Sequence, residues 1–147
     1  MRLFFMALLM IFISACSAPS DTPEEALRRW VADAQAAAEA EDRATLMDML
    51  SENYADARGN DYTDVDKILR FYFLRQDSVV LLGKIDEIAV SGDTAALVKL
   101  TVGMAGANDA ALGFSADAYR FELELEQHDE DWLLVAARWG ALGEQLR

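Results

Sequence analysis

The sequence predicts an α+β domain, three helices first and four antiparallel strands after. Apolar residues recur at helical spacing as far as about Gln76, and from Ser78 onward the period changes to two. Helices and strands are thus segregated along the chain instead of alternating, which is the α+β order. No repeat of roughly 20 to 50 residues is visible, which argues against a solenoid.

Ahead of the first helix lies a segment of another kind. Arg2 is the only charge before Asp21, and Leu3 to Ile13 form an unbroken apolar run of 11 residues. A membrane-spanning helix needs about 20 such residues, so the run has instead the length of the apolar region of a secretory signal. Ile13-Ser14-Ala15-Cys16 then resembles the lipobox of bacterial lipoproteins, with Ile in place of the commoner Leu. That resemblance implies cleavage between Ala15 and Cys16, and acylation of Cys16, with palmitate among the chains, as the new N-terminus. Cys16 is the only cysteine, so no disulfide can form within the chain. Two or three acyl chains also supply the multiple signal that stable anchoring requires. The expected location is the cell envelope. Ser17 follows the cysteine where Asp would mark retention, which by resemblance to Gram-negative sorting points to the periplasmic face of the outer membrane.

Residues 1–15 are therefore read as a signal peptide and 16–22 as lipidated cysteine plus tether, Ser17 to Asp21 being small and polar. Thr22 caps the first helix, Pro23 suits its first position, and Glu25 completes a capping box. Leu27, Trp30, Val31, Ala34 and Ala38 form its apolar stripe. A second helix reads from about Asp42, its cap, to Leu50. Ser51 to Tyr62 breaks the period, with Gly59-Asn60 as a turn signal. Thr63 is expected to cap the third helix, with Asp64 and Asp66 in its positively polarised first turn and Val65, Ile68, Leu69, Tyr72 and Phe73 inward.

Val79 to Val90 reads as the first strand, with Gly83 as a bulge or bend. Ser91-Gly92-Asp93 turns into a strand from Ala95 to Met104, in which Ala96, Val98, Leu100, Val102 and Met104 share a face. A glycine-bearing loop from Ala105 to Ser115 precedes the cleanest half-buried strand. There Tyr119, Phe121, Leu123 and Leu125 alternate with Arg120, Glu122, Glu124 and Glu126. His128 to Asp131 turns into a last strand from Trp132 to Trp139.

This order, together with the ending Trp132-Leu-Leu-Val-Ala-Ala-Arg-Trp139, resembles the NTF2-like superfamily, which includes SnoaL-type and ketosteroid-isomerase-type proteins. Tyr54-Ala-Asp-Ala-Arg-Gly-Asn60 and Tyr119-Arg-Phe-Glu-Leu-Glu-Leu125 are similar to segments of uncharacterised bacterial NTF2-like lipoproteins. The resemblance covers residues 23–142 and leaves 143–147 as a tail. It implies a cone, with N-terminal helices packed in a curved antiparallel sheet. It implies no particular activity, because one fold hosts many functions.

Charge excludes one class of partner. The chain has 13 basic and 26 acidic residues, and loss of residues 1–15 leaves 132 residues, the usual size of one domain, with 12 basic side chains. A field of that sign repels phosphate backbones and anionic headgroups, so nucleic acid is a poor partner and the charge serves to keep the domain soluble beside the membrane.

Metal and nucleophile chemistry find little support. His128 is the only histidine, which leaves no nitrogen or sulfur set for zinc. His128-Asp129-Glu130-Asp131 reads as a solvated turn, since calcium needs six to eight converging oxygens. No Gly-x-Ser-x-Gly elbow, P-loop or dinucleotide glycine pattern occurs, and no cofactor is expected.

What remains is carboxylate chemistry. Enzymes of the resembled superfamily commonly set an Asp beside tyrosines in an apolar cavity, where burial raises its pKa. The counterparts here are Asp56 as base, with Tyr54 or Tyr119 as donor. Arg58 stands two residues from Asp56, and an ion pair between them would spoil the base, so the Tyr54–Asn60 segment reads better as a brace at the cone mouth. Trp30, Tyr72 and Trp139 are the candidate pocket-lining aromatics, with Phe71, Phe73 and Trp132 behind them. The expected function is a non-catalytic envelope lipoprotein whose domain binds a small apolar ligand or a protein partner. An isomerase or hydratase is the alternative, and a structural subunit of an envelope complex, dimeric through its sheet, is a third.

Overall fold

The computed structural model describes residues 21–75, 79–106 and 115–147. Helix α1 (Pro23–Glu39) begins at the expected capping box: the Glu25 amide donates to the Thr22 hydroxyl, and the Thr22 amide donates to the Glu25 carboxylate at 2.9 Å. Helix α2 (Arg43–Asp48) is capped by Asp42, which accepts from the Thr45 amide and hydroxyl. Helix α3 (Tyr62–Phe73) starts two residues earlier than expected. Asp61, not Thr63, is its cap, accepting from the Asp64 amide at 2.9 Å while Asp64 reaches back to the Asp61 amide. A carboxylate satisfies the first orphan N–H groups and opposes the helix dipole at once, which a threonine cannot do. The helix ends at Phe73, short of Gln76.

Four strands follow in simple meander order: β1 (Val79–Ser91), β2 (Ala95–Gly106), β3 (Ser115–His128) and β4 (Asp131–Ala141), all antiparallel. β2 and β4 run two residues further at their ends than the alternation predicted, and the β3–β4 turn narrows to Asp129-Glu130. Residues 107–114, within the expected glycine-bearing loop, lie outside the described residues, as do the expected signal segment and Cys16.

Register aligns the inner face in rows. Ile85, Leu100, Phe121 and Trp139 are successive partners, as are Ile88, Val98, Leu123 and Ala137. Two bulges keep these rows inward. One lies at Asp86 in β1, not at Gly83, and one at Val135 in β4. Each extra residue lets apolar residues three apart, Ile85 with Ile88 and Leu134 with Ala137, share a face. α1 lays Leu27 and Val31 on these rows. Leu27, Val98 and Leu125 are the most deeply buried large side chains, each removing about 1.5–3 kcal/mol worth of apolar surface from water.

The outer face carries a ladder of alternating charge across all four strands, Glu87, Lys99, Glu122 and Arg138, with ion pairs of 2.8 and 2.6 Å. Both sheet edges take hydrogen bonds from outside the sheet. Gln35 of α1 donates to the Leu81 carbonyl at 2.9 Å, and the Leu81 amide donates to Glu39 at 2.8 Å, so two helix side chains stand in for a neighbouring strand. Gly83 permits that approach, because a Cβ there would lie 2.8 Å from the Gln35 amide oxygen. At the other edge, Ser51, Ala55 and Ala57 donate to carbonyls of β4, and Trp139 exchanges two hydrogen bonds with Arg147 of the tail. No helix among the described residues is long and apolar enough to cross a membrane.

Candidate functional site

The segment from Met49 to Asn60 owes its irregular path to β4, whose free carbonyls it satisfies one by one. That path brings Tyr54 and Asp56 inward, at 5 % and 9 % exposure. The Asp56 carboxylate accepts from the Arg58 and Asn60 amides, each at 2.9 Å, from the Asn60 side chain at 2.8 Å, and from the Tyr54 hydroxyl at 3.5 Å. Aspartate folding its own downstream amides onto its side chain is the Asx-turn habit. Burial, and then the neighbouring Asp56 charge, push the Tyr54 hydroxyl well above the ordinary phenol range.

Arg58 does not pair with Asp56 through its guanidinium. The group instead stacks on Trp139, 4.5 Å from the ring centre, and donates to the Trp139 carbonyl at 3.3 Å. Trp139 in turn lies against Phe121, with centroids 6.3 Å apart and planes inclined by 17°. Two strand positions from Phe121 on the same face stands Tyr119. Burial, and then the charge of Tyr119, hold Tyr72 of α3 above its usual pKa. Tyr54 with Asp56 and Arg58 with Trp139 are thus the assembled pairs. Phe71 is 60 % exposed and lines nothing inside.

Trp30 belongs to a different place. With Trp132, Asp33, Asp48, Asp131 and Thr45 it lines an open cleft of about 660 Å³ between the end of α1, α2 and the β3–β4 turn. Sequence reasoning did not single out this cleft, since it gathers residues from three separate elements. It read Gly59-Asn60 as a turn without naming Asn60 as the partner of Asp56, although an Asp followed four residues later by Asn after a glycine points to such a bond. Among the described residues, no three His, Cys, Asp or Glu side chains are placed to share a metal ion.

Helices lying on the inner face of a four-stranded meander with this register have counterparts among solved structures. A dehydratase-like protein of the NTF2-like family from Streptomyces avermitilis superposes with a TM-score of 0.70 at 11 % identity, covering 80 % of this chain and 95 % of that one. The chain has the NTF2-like fold. A scytalone dehydratase-like protein from Novosphingobium aromaticivorans gives 0.74 at 12 % identity, over 84 % of this chain and 85 % of its own. A ketosteroid isomerase-like protein from Erwinia carotovora atroseptica gives 0.67 at 11 %, over 82 % and 96 %. No family model and no curated sequence matches the chain. At these identities the NTF2-like cone is what is shared, and its chemistry has to be argued from the side chains.

Proposed function

We propose that this protein is a lipid-anchored envelope protein whose NTF2-like domain binds a small apolar ligand and does not turn one over. The carrying observation is that Asp56, the buried carboxylate of the inner segment, already accepts four hydrogen bonds. A carboxylate has about four lone-pair sites, so none is left to take a substrate proton. The ligand surface is the aromatic row of Tyr119, Phe121 and Trp139 on the inner sheet face, with the half-buried Tyr72 of α3 as a further candidate. A protein partner on the outer sheet face is less well supported, because the charge ladder occupies its middle.

The apolar fluorophore N-phenyl-1-naphthylamine tests the binding site. We expect it to bind the full chain and to lose most of its emission in Phe121→Ser or Trp139→Ser, while the exposed control Phe71→Ser leaves it unchanged. Equal loss in all three would remove the site from the inner face. Metabolic labelling with radioactive palmitate tests the anchor: Cys16→Ala is expected to carry no label, and undiminished label would sink the assignment.

A second reading is an acid–base enzyme, favoured by one observation, the buried Tyr54 hydroxyl and Asp56 carboxylate in contact, in a fold whose neighbours include dehydratase-like and isomerase-like proteins. Isomerisation of a β,γ-unsaturated ketone to its conjugated enone, followed by absorbance, is the probe reaction. Turnover that vanishes in Asp56→Asn, with the chain still folded, would replace the binding reading by this one.

A further inference from the structure

Helix α3 contains no buried residue, although half of it is large and apolar. Its inner side half-buries Val65, Leu69, Tyr72 and Phe73. Its outer side carries Ile68, expected inward, at 50 % exposure, Phe71 at 60 % and, just past its end, Leu74 at 81 %. These recur at i, i+3 and i+6, so they form one stripe. Between them stand Lys67, Arg70 and Arg75, with the Arg75 guanidinium 4.8 Å from the Phe71 ring centre. Lys67 to Arg75 contains three cations and no carboxylate, in a chain where acids outnumber bases 26 to 13. Asp64 and Asp66, in the first turns, pair with Lys67 and with Arg43 and Arg70. Arg75 has no ion pair among the described residues.

We infer that this outer face of α3 docks on an anionic lipid surface, Phe71 and Leu74 entering the headgroup boundary while Lys67, Arg70 and Arg75 meet the phosphates. The inference rests on the reading that Cys16 tethers the chain to a bilayer. Six residue steps from Cys16 to Thr22 reach about 20 Å at full extension, so the domain is confined near the surface and a weak face suffices to orient it. A basic stripe interleaved with exposed apolar side chains is the composition of helices that lie in the interface plane. A second copy fits less well, since a twofold contact would set the Arg70 and Arg75 of one chain against those of the other.

The test uses the full chain held on vesicles of phosphatidylcholine with or without phosphatidylglycerol. An environment-sensitive thiol label is placed at Leu74→Cys, with Glu130→Cys at the β3–β4 turn as control. With phosphatidylglycerol present, the label at 74 is expected to shift blue and to be quenched by brominated acyl chains, and the label at 130 to do neither. Arg70→Gln with Arg75→Gln should lower the docked-to-undocked ratio by up to about 30-fold, roughly fivefold for each cation removed near an anionic surface. A label at 74 that stays solvent-like overturns the inference. So does a blue shift that ignores brominated chains and grows with protein density, which would mean a second copy on the face. The anchor is judged separately, because acylated Cys16 offers no thiol. A second label per chain would refute the anchor and, with it, the confinement the inference rests on, whereas a single label per chain with no shift at 74 overturns the docking alone.

Discussion

The Arg58 guanidinium stacks on the Trp139 ring while its Nη2 donates to the Trp139 carbonyl, so one side chain holds both the face and the backbone of β4. The same carbonyl accepts from the Arg147 amide at 3.2 Å. Arg58 is exposed, and a cation over an indole at such a site contributes about 0.5–1 kcal/mol. Arg58→Lys is expected to lose most of that, because an ammonium cannot stack and donate sideways together. Urea unfolding checks this, and a Lys variant as stable as the parent would show the stack to be incidental.

Asp56 gives a sharper contrast between two substitutions. Asp56→Ala strands the Arg58 and Asn60 amides and the Asn60 side chain, and should cost about 3 kcal/mol in unfolding free energy. Asp56→Asn keeps one oxygen for the two amides, and rotation of the Asn60 amide can restore its partner, so about 1 kcal/mol is expected. Equal losses would mean that charge, and not acceptor geometry, holds the turn.

These bonds mark the limit of what the sequence disclosed. Strand faces were readable because half-buried strands alternate, as Tyr119 to Leu125 does, and the Thr22–Glu25 box was readable because both partners lie three residues apart. The bulges at Asp86 and Val135 were not, since a bulge depends on a partner strand. Ile68 was misplaced because α3 is apolar on two sides, so spacing alone could not say which side faces in. Arg58 beside Asp56 suggested an ion pair, whereas the partner it takes, Trp139, is 81 positions away.

Gly140 is buried beneath the tail, where a Cβ would stand 2.9 Å from the Gln145 carbonyl oxygen. That neighbour is backbone and cannot swing aside. Gly140→Ala should therefore peel the tail from β4 and break the two Trp139–Arg147 hydrogen bonds of 3.0 and 3.2 Å, a loss of about 1–3 kcal/mol. Amide exchange at Trp139 and Arg147 reads this directly, and unchanged protection would contradict it.

Tyr54 and Tyr72 should titrate late. Burial raises Tyr54 and Tyr72 above the usual value of about 10. A folded-state pKa above the unfolded one means stability that is complete below about pH 10 and is lost as pH rises through the folded value. Phenolate absorbance is expected to show part of the signal appearing only with unfolding at high pH. Tyr54→Phe should remove a share of that late signal while costing at most about 1 kcal/mol at neutral pH, the worth of one long hydrogen bond.

The outer ladder makes Lys99 the hinge of charge order, flanked by Glu87 on β1 and Glu122 on β3. Its hydrogen bond to Glu87, and then the Glu87 charge, hold its ammonium above the ordinary lysine pKa. Lys99→Glu would set three carboxylates in a row across three strands, and like charges directly opposite oppose pairing. A Tm lower by a few degrees is expected for Lys99→Glu and a smaller drop for Lys99→Gln, which removes attraction without adding repulsion. Because the row is exposed, added salt should narrow the gap between the two variants. A gap that salt leaves untouched would assign the loss to the lysine's methylene stem packed along the sheet, and not to the order of charges.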